Sequence, residues 1–271
     1  MPWKGRFIMK DILQMLQDPA ILPVVYILAF LWGVVFGSFI NVLILRIPKK
    51  ESIIKPSHCV TCNHKLAWYD NIPILSWLFL RGKCRYCKAK ISIQYPIIEF
   101  VNGLLFVFVL WMNGISIDSV LIAAMSSALL SLSVADWRTY EIANGYHVFI
   151  IALAIIRLVT GGIAWLDALI GFFAVSLLLL AIYLISGGRA IGGGDVKLMA
   201  ACGMFIGWKP VILALFIGCV VGSIIHIARM KISKNVNHVL AMGPYLSIGV
   251  FIASLYGNEI INWYIGFLTQ A

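Results

Sequence analysis

The sequence predicts an all-α polytopic membrane protein, and its composition and its apolar runs carry this prediction. Hydrophobic residues make up 62% of the 271 residues and charged residues only 12%, against about 25% charged in soluble globular domains. Eight apolar runs are long enough to cross about 30 Å of hydrocarbon. They cover residues 23–45, 96–113, 118–135, 145–161, 164–186, 191–208, 210–230 and 243–266. We therefore expect about eight transmembrane helices.

The distribution of lysine and arginine predicts the orientation of these spans. Residues 46–95, between the first two runs, hold ten lysines and arginines against only Glu51 and Asp70. Because short loops rich in these cations stay in the cytoplasm, we expect this segment to be cytoplasmic and both chain ends to lie outside. Lys4, Arg6 and Lys10 oppose this assignment. The net charge of +10 is then a topology signal, with the lipid bilayer as partner and no need for nucleic acid.

Four cysteines in the hydrophilic segment predict a metal site. Cys59-x-x-Cys62 and Cys84-x-x-Cys87 are separated by 21 residues, close to the spacing of two-knuckle zinc sites. Redox pairs and an iron site are the alternatives. A segment this short has little apolar material for a core, so four thiolates on one ion would hold its shape. We therefore expect three segments: residues 1–45 with the first transmembrane helix, a cytoplasmic zinc-binding insert at 46–95, and a transmembrane core at 96–271.

Two aspartates lie at the predicted inner ends of spans. Asp136 closes the third span in "SVADWRTYEIAN", and Asp195 opens the sixth in "GGGDVKL". Three interpretations fit them: helix-end ion pairs with Arg138 and Lys197, an ion or proton relay, or the dyad of an aspartic peptidase. Glycines 192–194 would let an extended substrate backbone approach Asp195 closely, which favours the peptidase, although a flexible hinge is a structural alternative.

A series of motifs in order along the chain identifies a family resemblance. It comprises "GVVFGSFINVLILRIP", the paired C-x-x-C motifs, "DNIPILSWLFLRGKCRYC", "ISIQYPIIEF", "ADWRTYEIAN", "GGGDVKL" and "AMGPYLSIG". In these residues the sequence resembles the type IV prepilin peptidase family, the bifunctional leader peptidases and N-methyltransferases of type IV pili, type II secretion and competence pseudopili. Ala143 departs from the family pattern, which often has proline after "EI".

The resemblance implies an intramembrane aspartic peptidase of the G-x-G-D type. Asp136 and Asp195 would be the catalytic pair, Gly192, Gly193 and Gly194 would admit the substrate backbone, and Lys197 would support Asp195. The enzyme would cleave prepilins or pseudopilins at the cytoplasmic face of the bacterial cytoplasmic membrane.

The resemblance also implies a second reaction, in which the enzyme methylates the exposed amine with S-adenosylmethionine. Glu99 and Gly103 in "EFVNG" resemble the family region associated with methyl transfer, and they are the candidate cofactor-binding residues.

Two rival functions use the same residues differently. An ion-coupled transporter or channel would use Asp136 and Asp195 as a relay and would show no proteolysis. A zinc-organised membrane assembly module would use the acids only as helix-end pairs, so asparagine at either position would leave its function intact.

The helix dipole predicts how the two aspartates share a proton. Asp195 opens a span, where the dipole favours an anion, whereas Asp136 lies at the C-terminal end of its span. We expect Asp195 to be the ionised partner and Asp136 to carry the proton, as the dominant microstate of a pair that titrates together. Isotope-edited infrared spectroscopy checks this assignment, and a protonated-carboxyl band belonging to Asp195 would reverse the two roles.

Overall fold

A computed structural model describes residues 18–232 and 240–270. Over these residues the chain forms ten α-helices, one short 3-10 helix at Trp68–Asn71 and no strand. The predicted all-α class is therefore confirmed. The cations Lys4, Arg6 and Lys10 lie outside the described residues. The helices are α1 Leu22–Arg46, α2 Leu75–Phe79, α3 Gln94–Asn113, α4 Ile117–Thr139, α5 Asn144–Val159, α6 Trp165–Ala174, α7 Ser176–Ser186, α8 Gly193–Ile206, α9 Trp208–Ile232 and α10 Gly243–Gln270.

Each of the eight predicted runs contains a helix, but within the described ranges five stretches are long and apolar enough to cross a membrane. These are α1, α3, α4, the consecutive helices α6 and α7, and α9. Helices α5 and α8 have 16 and 14 residues, which is about 24 and 21 Å of helix. Helix α10 is long, but Asn258, Glu259 and Asn262 interrupt its apolar run. The chain is a multi-pass membrane protein, and the count of eight spans is not confirmed.

The described chain divides into two compact units, one ending at Ala123 and the other beginning at Ala124. In the first unit α1 packs along α3 through glycines. A Cβ on Gly37 would lie 2.6 Å from Glu99 Cα, and one on Gly33 would lie 2.8 Å from Gly103 Cα. Small residues four apart let two membrane helices approach this closely. The functional division at residues 95 and 96 stays a prediction.

Helix α8 lies in the core of the second unit. Leu198, Met199, Ala201, Cys202 and Phe205 on this helix are fully buried. It packs against α5, α6, α7, α9 and α10. Helix α8 is therefore enclosed by protein, and this packing fixes the place of its first turn, where Asp195 lies.

Candidate active site

The two predicted aspartates come from the ends of different helices in the second unit. Asp136 lies in the last turn of α4 and Asp195 in the first turn of α8. Their residues are only 4% and 9% exposed. The two acids are 59 positions apart in the sequence but lie in the same unit, near enough for an electrostatic influence of Asp136 on Asp195. Asp136 and Asp195 therefore lie at the helix ends that the dipole argument assumes. Which of the two carries the proton stays a prediction.

The first residue of α10 contacts the Asp136 carboxylate. The Gly243 backbone N–H donates to Asp136 Oδ2 over 3.0 Å. A Cβ on residue 243 would lie 2.7 Å from the same oxygen. Because that space is taken, only glycine presents its N–H there without moving the carboxylate. Sequence reasoning assigned no role to Gly243, although the residue lies within the quoted motif "AMGPYLSIG".

Two of the three glycines before Asp195 lie where a side chain would crowd a neighbouring atom. A Cβ on Gly194 would lie 3.2 Å from Ile142 Cβ, and one on Gly192 would lie 3.2 Å from Asp195 Oδ2. Gly193 has more room, since its nearest neighbour would be Tyr183 at 3.7 Å. Gly193 and Gly194 already belong to α8, and Gly192 caps it in an extended conformation. Asp195 is therefore the third residue of α8 and lies within its first turn.

Lys197 contacts a neutral partner. Its Nζ donates to Asn144 Oδ1 over 3.1 Å, and among the described residues no ion pair joins Lys197 to Asp195. The helix-end interpretation of Asp195 therefore lacks its expected partner. His147, one turn after Asn144, is buried, and neither ring nitrogen has a hydrogen-bond partner within the described ranges. Sequence reasoning missed both Asn144 and His147.

The four cysteines converge in the first unit. Their Sγ atoms all lie within 4.8 Å of one another, and the Sγ atoms of Cys59 and Cys87 are 3.8 Å apart. Tetrahedral zinc with bonds of about 2.3 Å places its sulfurs about 3.8 Å apart. The cluster therefore fits a four-coordinate metal ion.

The two cysteine knuckles share one backbone design. In the first, Cys59 N donates to His64 O and its carbonyl accepts from Asn63 N; in the second, Cys84 N donates to Ala89 O and its carbonyl accepts from Lys88 N. Asn63 and Lys88 both have positive φ, 54° and 60°. Backbone N–H groups of Cys62 and Thr61 lower the pKa of Cys59 to about 6. This favours the thiolate, which is the form that binds metal.

Glu99 and Gly103, the candidate cofactor residues, are buried between helices. Glu99 Oε2 accepts from the Ile74 backbone N–H over 2.7 Å. A Cβ on Gly103 would lie 2.7 Å from the Phe30 ring. These contacts support packing of α1, α2 and α3 and do not form an open site. Their assignment to the methyl donor stays a prediction.

Comparison with known proteins identifies the family of this chain. The Bacterial Peptidase A24 N-terminal domain matches residues 31–113, and the Type IV leader peptidase family matches residues 123–227. The chain belongs to the type IV leader peptidase family. The first match contains all four cysteines, and the second contains Asp136 and Asp195.

Curated relatives of this leader peptidase align over most of its length. The prepilin leader peptidase/N-methyltransferase of Aeromonas hydrophila is 32% identical over 90% of this chain and 95% of its own. The protein of the same name from Bacillus subtilis is 35% identical over 87% and 96%, and that from Stutzerimonas stutzeri is 32% identical over 90% and 96%. No solved structure matches. The chain is thus a protease with methyltransferase activity.

Replacing Gly243 tests the contact with Asp136. Because a methyl group there would displace the carboxylate, we expect Gly243→Ala to lower peptidase activity while the protein stays folded. Gly266→Ala on the same helix is the control, since a Cβ at Gly266 meets nothing within 4 Å. Initial cleavage rates and thermal unfolding are measured for both variants in detergent. Equal rates would contradict a role for this contact.

Proposed function

We propose that this enzyme cleaves the leader from type IV prepilins or pseudopilins at the cytoplasmic face of the bacterial cytoplasmic membrane and then N-methylates the new N-terminus. The observation that carries the proposal is the pair of buried carboxylates, Asp136 and Asp195, that the second unit brings together. Membership of the leader peptidase family and the printed names of the relatives supply the substrate class.

The proposed cleavage needs one ionised and one protonated carboxyl. Asp195 accepts a proton from a water molecule, whose oxygen forms a bond to the scissile carbonyl carbon, while Asp136 gives its proton to the carbonyl oxygen. When the tetrahedral intermediate collapses, the C–N bond breaks, Asp195 gives its proton to the leaving amine, and Asp136 takes the hydroxyl proton as the carbonyl forms again. The Gly243 N–H fixes the Asp136 carboxyl during these steps. Gly192 keeps a side chain away from the Asp195 carboxylate, and Gly194 leaves room for Ile142.

The proposed methylation uses S-adenosylmethionine, whose sulfonium supplies the methyl group to the free amine. The support for this part is the N-methyltransferase in the names of the relatives. The described contacts of Glu99 and Gly103 serve helix packing. We therefore assign no step of methyl transfer to either residue.

Asparagine at each aspartate tests the peptidase. Since general acid-base catalysis contributes about 10²- to 10⁴-fold, we expect Asp136→Asn and Asp195→Asn each to slow cleavage of a prepilin by at least about 10²-fold. The exposed Glu141→Gln is the matched control and is expected to keep its rate. Mass spectrometry follows loss of the leader and, with S-adenosylmethionine present, the mass gain of one methyl group.

The same assay separates the rival functions. Ion transport in vesicles with no cleavage by the folded, metal-loaded protein would favour the relay. Full function of both asparagine variants would favour an assembly module in which the acids are only helix-end groups. Cleavage without methylation would overturn the second half of the proposal alone.

We propose zinc as the ion of the cysteine cluster, with Cys59, Cys62, Cys84 and Cys87 as ligands. Purified protein is expected to contain one zinc per chain by inductively coupled plasma mass spectrometry. Because a structural site needs all its ligands, Cys62→Ser and Cys87→Ser should lower this content strongly and expose the insert to limited proteolysis. Cys219→Ser, at an exposed cysteine of α9, should leave both unchanged. Iron in place of zinc would contradict the assignment.

A further inference from the structure

The insert between α1 and α3 exposes a cluster of large apolar side chains. Trp68 is 79% exposed, Phe79 83%, Leu78 57% and Leu75 51%. On α2, Leu75, Leu78 and Phe79 are three and four positions apart, so they share one helix face. The 3-10 helix that carries Trp68 packs against α2. We call these four residues the insert patch. Such exposed apolar area marks an interaction site.

A hydrogen bond fixes the depth of this patch relative to a membrane helix. The Ile74 N–H, directly before α2, donates to Glu99 Oε2 over 2.7 Å. Glu99 is the sixth residue of α3, about 7 Å along its axis from the first. Since α3 is long and apolar enough to span, α2 lies beside its end. Amphipathic segments at the membrane interface lie about 5–10 Å into the boundary between headgroups and acyl chains.

The side of α2 that faces away from the patch packs against the rest of the insert. Trp77 lies between the patch residues in sequence, but its Nε1 donates to Ile91 O over 3.2 Å. A Cβ on Gly82 would lie 2.9 Å from the Trp77 ring. Trp77 therefore faces the insert while Leu78 and Phe79 face outward. The short helix therefore has one apolar side chain that packs on the insert and three that are exposed.

The charged residues around the insert patch indicate what kind of surface it can bind. The insert has exposed cations at Lys55, Lys65, Arg81, Lys83, Lys88 and Lys90. Its two acids are Glu51 and Asp70, and Asp70 is paired with Arg85 at 2.8 Å. An excess of exposed cations beside apolar side chains complements a bilayer that contains anionic lipid.

We propose that the insert patch is a membrane-docking surface, in which Trp68, Leu75, Leu78 and Phe79 enter the headgroup and acyl boundary of an anionic bilayer. The surrounding lysines and arginines pair with lipid phosphates. The cysteine cluster then lies on the membrane surface beside α1 and α3. This inference concerns lipid contact alone and does not depend on the peptidase or methyltransferase proposals.

Tryptophan quenching in nanodiscs tests the docking on the full chain. Subtracting the emission of Trp68→Phe from that of the parent protein isolates the Trp68 component, and Trp77→Phe isolates the matched inward-facing residue. In nanodiscs of phosphatidylglycerol and phosphatidylcholine, we expect the Trp68 component to be blue-shifted and to lose intensity when the lipids carry bromine near the headgroup. The Trp77 component should lose much less.

Two results would overturn the proposal. One is a Trp68 component with a water-like spectrum that aqueous iodide quenches and brominated lipid does not. The other is a Trp68 component that brominated lipid does not quench and that added prepilin shifts to the blue, since the patch would then be a substrate surface.

A second experiment tests whether the exposed lysines make the insert bind anionic lipid in preference to neutral lipid. Hydrogen exchange of residues 72–80 should be slower in anionic nanodiscs than in nanodiscs of phosphatidylcholine alone, and Lys83→Gln with Lys90→Gln should reduce this difference. Thermal unfolding of that double variant in detergent, compared with the parent protein, shows that it is folded. Equal exchange in both lipids would overturn the role of the cations.

Discussion

Holding two carboxylates close together inside a membrane protein is the interaction on which the second unit depends. Under the proposed function one carboxyl is ionised and the other protonated, so the chain must fix both backbones for the two groups to share a proton. It does so with α8, whose apolar residues are buried on all sides, and with the Gly243 N–H, which donates to Asp136. Both devices need small residues, because the helix ends approach closer than a side chain allows.

The first unit also brings two helices close together and buries a carboxylate beside them. Helices α1 and α3 approach through Gly33, Gly37 and Gly103, and the buried Glu99 carboxylate is satisfied by the Ile74 N–H. This contact ties the insert to a membrane helix. Arg46, the last residue of α1, donates to four insert carbonyls: Ser52, Ile53, Lys55 and Pro56. The insert is thus anchored near its start by Arg46 and near its middle, at Ile74, by Glu99.

The cysteine cluster supplies the order that a small apolar core cannot. Two knuckles with the same hydrogen bonds turn four sulfurs toward a common centre. Metal binding by such a site contributes directly to folding free energy. Under the zinc proposal, the cysteine cluster and the packing of Trp77 hold the insert together while the residues of the insert patch stay exposed.

The sequence by itself determined the features that local pattern encodes, which are the helical class and the spacing of the knuckle cysteines. The order of motifs predicts Asp136 and Asp195 as the catalytic pair, and their role stays a prediction. Tertiary structure decided what depends on packing between distant segments, including the contacts of Gly243 with Asp136, Lys197 with Asn144 and Glu99 with Ile74. Hydropathy predicts a span at residues 191–208, where the structure has a 14-residue helix packed against five others. Hydropathy reports only that such a helix is apolar, whereas the packing of distant segments decides that protein encloses it.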